Sequence, residues 1–311
     1  MTAAPVHTEG PRTVAVTGST GLIGTALVAQ LRASGYAVRR LLRSANGATA
    51  SDVVWDPARG ALPPMALEGT DAIVHLAGEP VAHRWTAERK RAIRESRVRS
   101  TELLAQAIGA LARKPRVLLA GSAIGYYGDR GDELLDEASA PGSDFLAATC
   151  VEWERATAPA ADAGVRVVLL RTGIVLSPRG GALGRLLPIF RLGAGGPIGS
   201  GRQWMSWISL GDHVRAMLHA LVTESMHGPA NLVAPNPVTN ADFATTLGRV
   251  LARPAFMPVP AFVLELLYGE MAHATLLAGQ SALPKSLMAN RFEFAHPTLE
   301  GALRAELRRD P

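Results

Sequence analysis

Three glycines carry the first chemistry in this chain. They stand at 18, 21 and 24 in T-G-S-T-G-L-I-G, behind the β-branched run TVAVTG and ahead of the periodic segment LIGTALVAQLRASG. Between a strand and a helix this spacing has a mechanical meaning. Gly18 permits the tight turn, Gly21 lets the backbone approach a pyrophosphate, and Gly24 lets the helix pack closely on the sheet. The free N–H groups and dipole of the helix N-terminus then favour the anion, so dinucleotide binding is expected. A turn that merely allows close packing would use the same glycines. Further on, where an acid would hold an unphosphorylated ribose, the chain offers R-R-L-L-R-S, Arg39 to Ser44, with no carboxylate. Arg43 and Ser44 suit a 2′-phosphate in charge and geometry, Arg40 is placed to assist, and NADP(H) is the expected cofactor. An arginine that only decorates the surface is the alternative for Arg43.

Such groups need a scaffold, and the chain supplies one. YAVRRLLR, DVVWDP, DAIVHLAG, RVLLAGSA and VRVVLLRTGIV read as further strands, with helices at 22–35, 86–111 and Val151–Ala163 between them. Alternating strands and helices predict an α/β fold with a doubly wound parallel sheet. The expected division is a dinucleotide-binding domain over 12–180, rejoined by 205–235. Segments 181–204 and 236–311 form a small mixed substrate lobe and a C-terminal helical extension; GALGRLLPIFRLGAGGPIGSG, rich in glycine and proline, reads as irregular.

Composition narrows the class. Of 311 residues, 48% are hydrophobic and 19% charged, enough apolar material for a sizeable core. A single cysteine, Cys150, excludes an internal disulfide and fits a reducing compartment. MTAAPVHTEGPR has no apolar signal core and no apolar run is long enough to span a bilayer, so a cytoplasmic protein without membrane contact is expected. The net charge of +5 concentrates in HRWTAERKRAIRESRVR, where cations and glutamates alternate at helical spacing. That is a solvated helix face, and with aromatics at 5% no nucleic-acid partner is expected. The eight histidines form no metal-ligand pattern and no G-x-S-x-G elbow exists, so neither a metal site nor a serine hydrolase is expected.

The glycine motif, H-L-A-G at 75–78 and Ser122 after the fifth strand resemble the short-chain dehydrogenase/reductase superfamily in its extended, epimerase-like branch. HLAGEPVAHRWTAERKRAIRESRV, SAIGYYGDRG, DFLAATCVEWE and RTGIVLSPRGGALGRLLPIF sharpen this to an atypical subgroup of epimerase-like proteins, and the resemblance covers nearly the whole chain. It implies a Rossmann domain with a small C-terminal domain. It also implies cofactor contacts from Thr20, Gly21, Leu22 and Ile23, from Arg43, from Asp56 near the adenine, from Leu76, Ala77 and Gly78, and from Gly173 and Ile174 near the nicotinamide. In ANRFEFAHP an arginine stands where a glycine usually precedes the first phenylalanine, which puts the local loop geometry in question.

One stretch departs further. DFLAATCVEWE should carry the Tyr-x-x-x-Lys that moves protons in such enzymes. Leu146 and Cys150 stand there instead, or Phe145 and Thr149 in the neighbouring register. Arg97 replaces the usual asparagine, and Ser122 alone remains. Each survivor has two readings. Ser122 polarises a substrate carbonyl or bonds backbone at a strand end; Arg97 attracts an anionic substrate or pairs with Glu95 or Asp129. One of Tyr126 and Tyr127 faces the cleft as a proton donor while the other packs in the core. Cys150 reads as a small buried residue, and Trp204 and Trp207 as cleft walls or, for one of them, core. Two functions follow: an NADP-dependent oxidoreductase or epimerase of a small polar, anionic substrate, or a non-catalytic NADP(H) sensor. The oligomeric state stays open.

Overall fold

The computed structural model describes residues 12–63 and 66–308. The polar N-terminal segment lies outside the described residues. The first half comprises β1 (Thr13–Thr17), α1 (Leu22–Ala33), β2 (Ala37–Leu42), β3 (Val53–Val54), β4 (Ala72–His75), α2 (Ala87–Ala110), β5 (Val117–Ala123), β6 (Leu134–Leu135), α3 (Phe145–Arg155), α4 (Ala158–Asp162) and β7 (Arg166–Thr172). After these come β8 (Ile174–Leu176), α5 (Gly181–Arg191), β9 (Trp204–Met205), β10 (Trp207–Ser209), α6 (Leu210–Val222), β11 (Gly228–Leu232), β12 (Val238–Thr239) and α7 (Asn240–Leu251). The chain closes with α8 (Ala261–Tyr268), β13 (Ser281–Ala282), α9 (Lys285–Ala289) and α10 (Leu299–Arg308).

Among the described residues, seven parallel strands form one sheet in the order β11-β7-β5-β4-β1-β2-β3. Central strands covered on both faces are apolar throughout, as Val14–Val16 and Ala72–Val74 show by their complete burial. One core layer joins α1 and α6 to the sheet through Leu27, Leu31, Val214 and Met217; the other joins α2 through Leu104 and Ile108. The doubly wound parallel sheet expected from the sequence is therefore present. A third cluster, built on Phe190, Trp207, Phe243 and Leu303, forms the lobe of α5, α7 and α10.

Three local expectations need correction. The helix read at Val151–Ala163 begins at Phe145, because the Asp144 carboxylate caps it by accepting from Ala147 N at 2.8 Å, and it breaks before α4, which carries Pro159 in its first turn. The strand read through Val175 is interrupted at Gly173, where a Cβ would lie 2.6 Å from Ser206 O, and the chain leaves the sheet to pair β8 with β10. The first half of the segment read as irregular after Gly180 is the amphipathic helix α5, with Pro188 inside it, and only the part after Arg191 is irregular as expected. The arginine in ANRFEFAHP, Arg291, holds the left-handed φ of +58° just past α9, so the glycine-type turn survives without its glycine. No helix among the described residues is long and apolar enough to cross a membrane.

Candidate functional site

The phosphate loop joins β1 to α1 and is held by a buried polar chain. Thr17 Oγ1 accepts from Leu76 N at 3.1 Å and Ala77 N at 3.2 Å, which leaves its proton for His75 Nδ1 at 2.7 Å. His75 Nε2 then carries the ring proton and donates to Ser100 Oγ at 3.2 Å, whose own proton goes to Ser96 O. Burial holds His75 down at a pKa of about 4, so the imidazole is neutral. This spine fixes the ends of β1 and β4 against α2. Gly18 has a φ of +66°, and a Cβ there would lie 2.6 Å from Leu76 O; a Cβ on Gly24 would lie 2.1 Å from Gly18 O. Both glycines are sterically required.

Above this loop lies a cleft of about 750 Å³. Its walls bring together most of the expected cofactor residues: Gly18, Thr20, Gly21, Arg43, Ser44, Asp56, Leu76, Ala77 and Gly78. Leu22 and Ile23 form the first turn of α1, which has no side-chain cap, so its leading N–H groups are available to an anion. Ser19 Oγ is buried beside them with no partner among the described residues. An orphaned hydroxyl in a glycine cradle at a bare helix N-terminus fits a dinucleotide pyrophosphate, and the residues present could hold one. Asp56 lines the cleft while its carboxylate caps a short 3₁₀ turn through Ala58 N and Arg59 N. Gly173 and Ile174 lie past β7, away from this part of the cleft.

Arg40 is a correction. Its guanidinium is locked onto the fully buried Asp52 carboxylate, with Nε to Oδ1 at 3.0 Å, and it does not face the cleft. Arg40 lies inside β2, whereas Arg43 stands just past the end of the strand, where residues 41–44 line the cleft. Arg43 is 76% exposed and pairs with Glu79 at 3.1 Å across the cleft. The sequence reading missed Glu79, although it directly follows H-L-A-G.

The residues expected to do chemistry are placed otherwise. Ser122 is buried and its Oγ donates to Glu154 Oε1 at 2.6 Å. Glu154 forms a two-pronged pair with Arg171, Nε to Oε1 and Nη2 to Oε2 both at 2.8 Å. Burial pulls the Arg171 pKa down, but the hydrogen bonds and charge of Glu154 outweigh it and raise it. Arg171 also donates to the Tyr127 hydroxyl at 3.1 Å, which donates to Asn231 Oδ1 at 2.7 Å. Tyr127 is fully buried, and burial pushes its pKa up to about 12. Ser122 as a carbonyl polariser is therefore corrected, and Tyr127 is the tyrosine of the pair that packs in the core: both are spent on one buried ion pair. Tyr126 is half-buried, its ring centroid 3.5 Å from the Arg171 guanidinium carbon, and its hydroxyl bonds no described residue. Cys150 is buried, and burial first, then the charge of Glu154, raises its thiol to about 12. Arg97 pairs with neither Glu95 nor Asp129; it lies over the Trp153 ring at 5.2 Å. Trp207 is core, and half-buried Trp204 donates to Asp132 at 2.8 Å.

A doubly wound sheet with a glycine cradle at the β1–α1 turn defines a Rossmann-type nucleotide-binding protein. The chain belongs to the NAD dependent epimerase/dehydratase family, which matches residues 14–233, and a domain of unknown function (DUF1731) matches 259–306. It is 45% identical over 291 residues to the epimerase family protein MT2273 of Mycobacterium tuberculosis, covering 93% of this chain and 96% of that one. It is 38% identical to human epimerase family protein SDR39U1, covering 94% and 98%. The crystal structure of human SDR39U1 (isoform2) with NADPH superposes with a TM-score of 0.88 at 36% identity, over 96% of this chain and 99% of that one. A nucleoside-diphosphate sugar epimerase from Corynebacterium glutamicum gives a TM-score of 0.80 at 40% identity, over 96% of this chain and 58% of that one. The family and fold that the motifs resembled are thus shown.

Proposed function

We propose that this chain binds NADPH in the cleft and acts in the cytoplasm as an oxidoreductase or epimerase on a small polar substrate. The observation that carries the cofactor choice is the end of β2, where Arg43 and Ser44 line the cleft and no acid from that strand does. The similarity to SDR39U1, whose structure holds NADPH, supports it. Bound there, the cofactor supplies hydride exchange at nicotinamide C4. The chain's own part is to hold the pyrophosphate at the α1 N-terminus, read the 2′-phosphate through Arg43, and move a proton. Tyr126 is the proton donor in this reading, as the phenol of the pair that bonds no described residue.

Calorimetry should show NADPH binding at least ~10-fold more tightly than NADH, with Arg43→Ala erasing most of the difference. With a panel of carbonyl compounds, Tyr126→Phe should lower turnover by ~10²–10⁴-fold at unchanged NADPH affinity. The buried states of Ser122, Tyr127 and Cys150 favour a second reading, a non-catalytic NADPH sensor. NADPH and NADP binding at different affinities, without turnover of any compound in the panel, would establish that reading over the first.

A further inference from the structure

α8, AFVLELLY, has Glu265 as its one charged residue and is otherwise apolar all round, a pattern that belongs in a core. Only its Leu264 is buried. Phe262 and Leu266, one turn apart, stand 68% and 73% exposed. The loop ahead of α8 adds exposed Phe256 and Met257, and the residue after α5 adds Leu192, 84% exposed. Scattered apolar residues on a surface are ordinary, but these are joined. Met257 N donates to Gly195 O at 3.1 Å and Val259 bridges to Ile198, so the loop runs beside the chain leaving α5. Arg185 Nη1 donates to Ala82 O at 3.2 Å, and Arg84 Nη1 to Leu266 O at 2.7 Å. Ile189 and Leu192 follow Arg185 at helical spacing on α5, so stretches 82–84, 185–199 and 253–267 lie edge to edge.

Charge says what this face fits. Arg84, Arg185 and Arg253 are exposed and donate to backbone carbonyls, and among the described residues none of the three pairs with a carboxylate. The acids of α8 and its end are taken, Glu265 by His273 at 3.4 Å and Glu270 by Lys90 at 2.8 Å. A second copy meeting this face about a two-fold axis would set the arginines against one another with no acid to answer them. An anionic lipid surface answers both parts at once. Its phosphates meet the guanidiniums, and its acyl boundary takes the phenyl and leucyl groups.

We propose that this face docks on an anionic membrane surface, with Leu192, Phe256, Phe262 and Leu266 inserted and Arg84, Arg185 and Arg253 against lipid phosphates. The contact is peripheral, since no described helix is long and apolar enough to cross a membrane. It reverses the expectation of no membrane contact. That expectation rested on the lack of a long apolar run, and a patch assembled from three distant stretches needs none. The inference is independent of the NADPH reading.

The test is co-sedimentation of the full chain with vesicles of phosphatidylcholine alone and of phosphatidylcholine mixed with phosphatidylglycerol. The chain should pellet with the mixed vesicles only, and less as salt rises. Arg84→Gln with Arg253→Gln should weaken that binding by about 10-fold or more, and so should Phe262→Ser with Leu266→Ser. These side chains are exposed, so thermal melting should stay level; Leu192→Ser serves if the serine pair does not fold. No pelleting with the mixed vesicles would overturn the proposal, as would equal pelleting with both kinds or binding that neither pair of substitutions weakens. Light scattering supplies the remaining arm. A mass of two chains that falls to one in Phe262→Ser with Leu266→Ser would also overturn it, by giving the face to a second copy.

Discussion

Around the phosphate loop, Ser19 Oγ is buried without a partner among the described residues and the first turn of α1 is uncapped. At the ends of β5 and β7, by contrast, Ser122, Tyr127, Arg171 and Glu154 use up one another's hydrogen-bonding capacity. Polar groups held short of partners are ready for a ligand, because bound oxygens recover what burial cost them. A closed network of the second kind has nothing left to offer a substrate, and its contribution is to shape. The phosphate loop is thus built to be completed from outside, whereas Ser122, Tyr127 and the Glu154–Arg171 pair are completed by one another and by Asn231.

The hardest blow to this contrast is Glu154→Ala. It leaves the Arg171 guanidinium buried and unpaired and should cost about 3–5 kcal/mol in denaturant unfolding. Affinity of the remaining folded protein for 2′,5′-ADP should not change. A stable variant that loses only turnover would make Glu154 part of the chemistry and dissolve the distinction.

Acid probes both halves at once. His75 in the binding half and His213 beside Thr172 at the end of β7 are each buried neutral, with pKa lowered by burial from 6.5 to about 4. Because the folded values lie below the unfolded one, the unfolded chain binds the extra protons between pH 6.5 and 4. Stability should be full above pH 6.5 and drain as pH falls toward 4, by about 3 kcal/mol per histidine. Unfolding curves that stay level across that window would show that an open, hydrated state already charges these rings.

The phosphate half was the more legible in sequence because its function depends on backbone. Gly18 and Gly24 can be nothing else once a strand must turn into a helix at that separation, and the residue types state the geometry. The other half depends on which way side chains turn, and alternation along a strand decides that. The Ser122 hydroxyl goes to Glu154, thirty-two residues away in the chain, which Arg171 in turn holds. Arg40 was expected to assist Arg43, yet Asp52, twelve residues on, claims it. Arg97 was singled out by resemblance, as the residue replacing an asparagine, and it shares the spacing of Ile93, Ser100 and Leu104 with Arg89. What spacing did not show is that it lies over the Trp153 ring and pairs with neither Glu95 nor Asp129.

The smallest expected effect tests whether the binding half contains its own brake. Arg43 and Glu79 meet at 3.1 Å from the ends of β2 and β4, on either side of β1, so their pair arches over the phosphate loop. A 2′-phosphate must compete with Glu79 for the guanidinium and also faces that carboxylate's repulsion. The pair is largely exposed on the arginine side, so its own worth is that of a surface ion pair. Glu79→Gln keeps the shape and removes the charge. NADPH should then bind about 3-fold more tightly at low salt, with NADH unchanged and the gain shrinking as salt screens the pair. If both cofactors instead weaken together, Glu79 is a ligand to the part of the dinucleotide they share. The ion pair with Arg43 would then be a resting place for two binding groups, and Glu79 would join Ser19 among the groups that wait for a ligand.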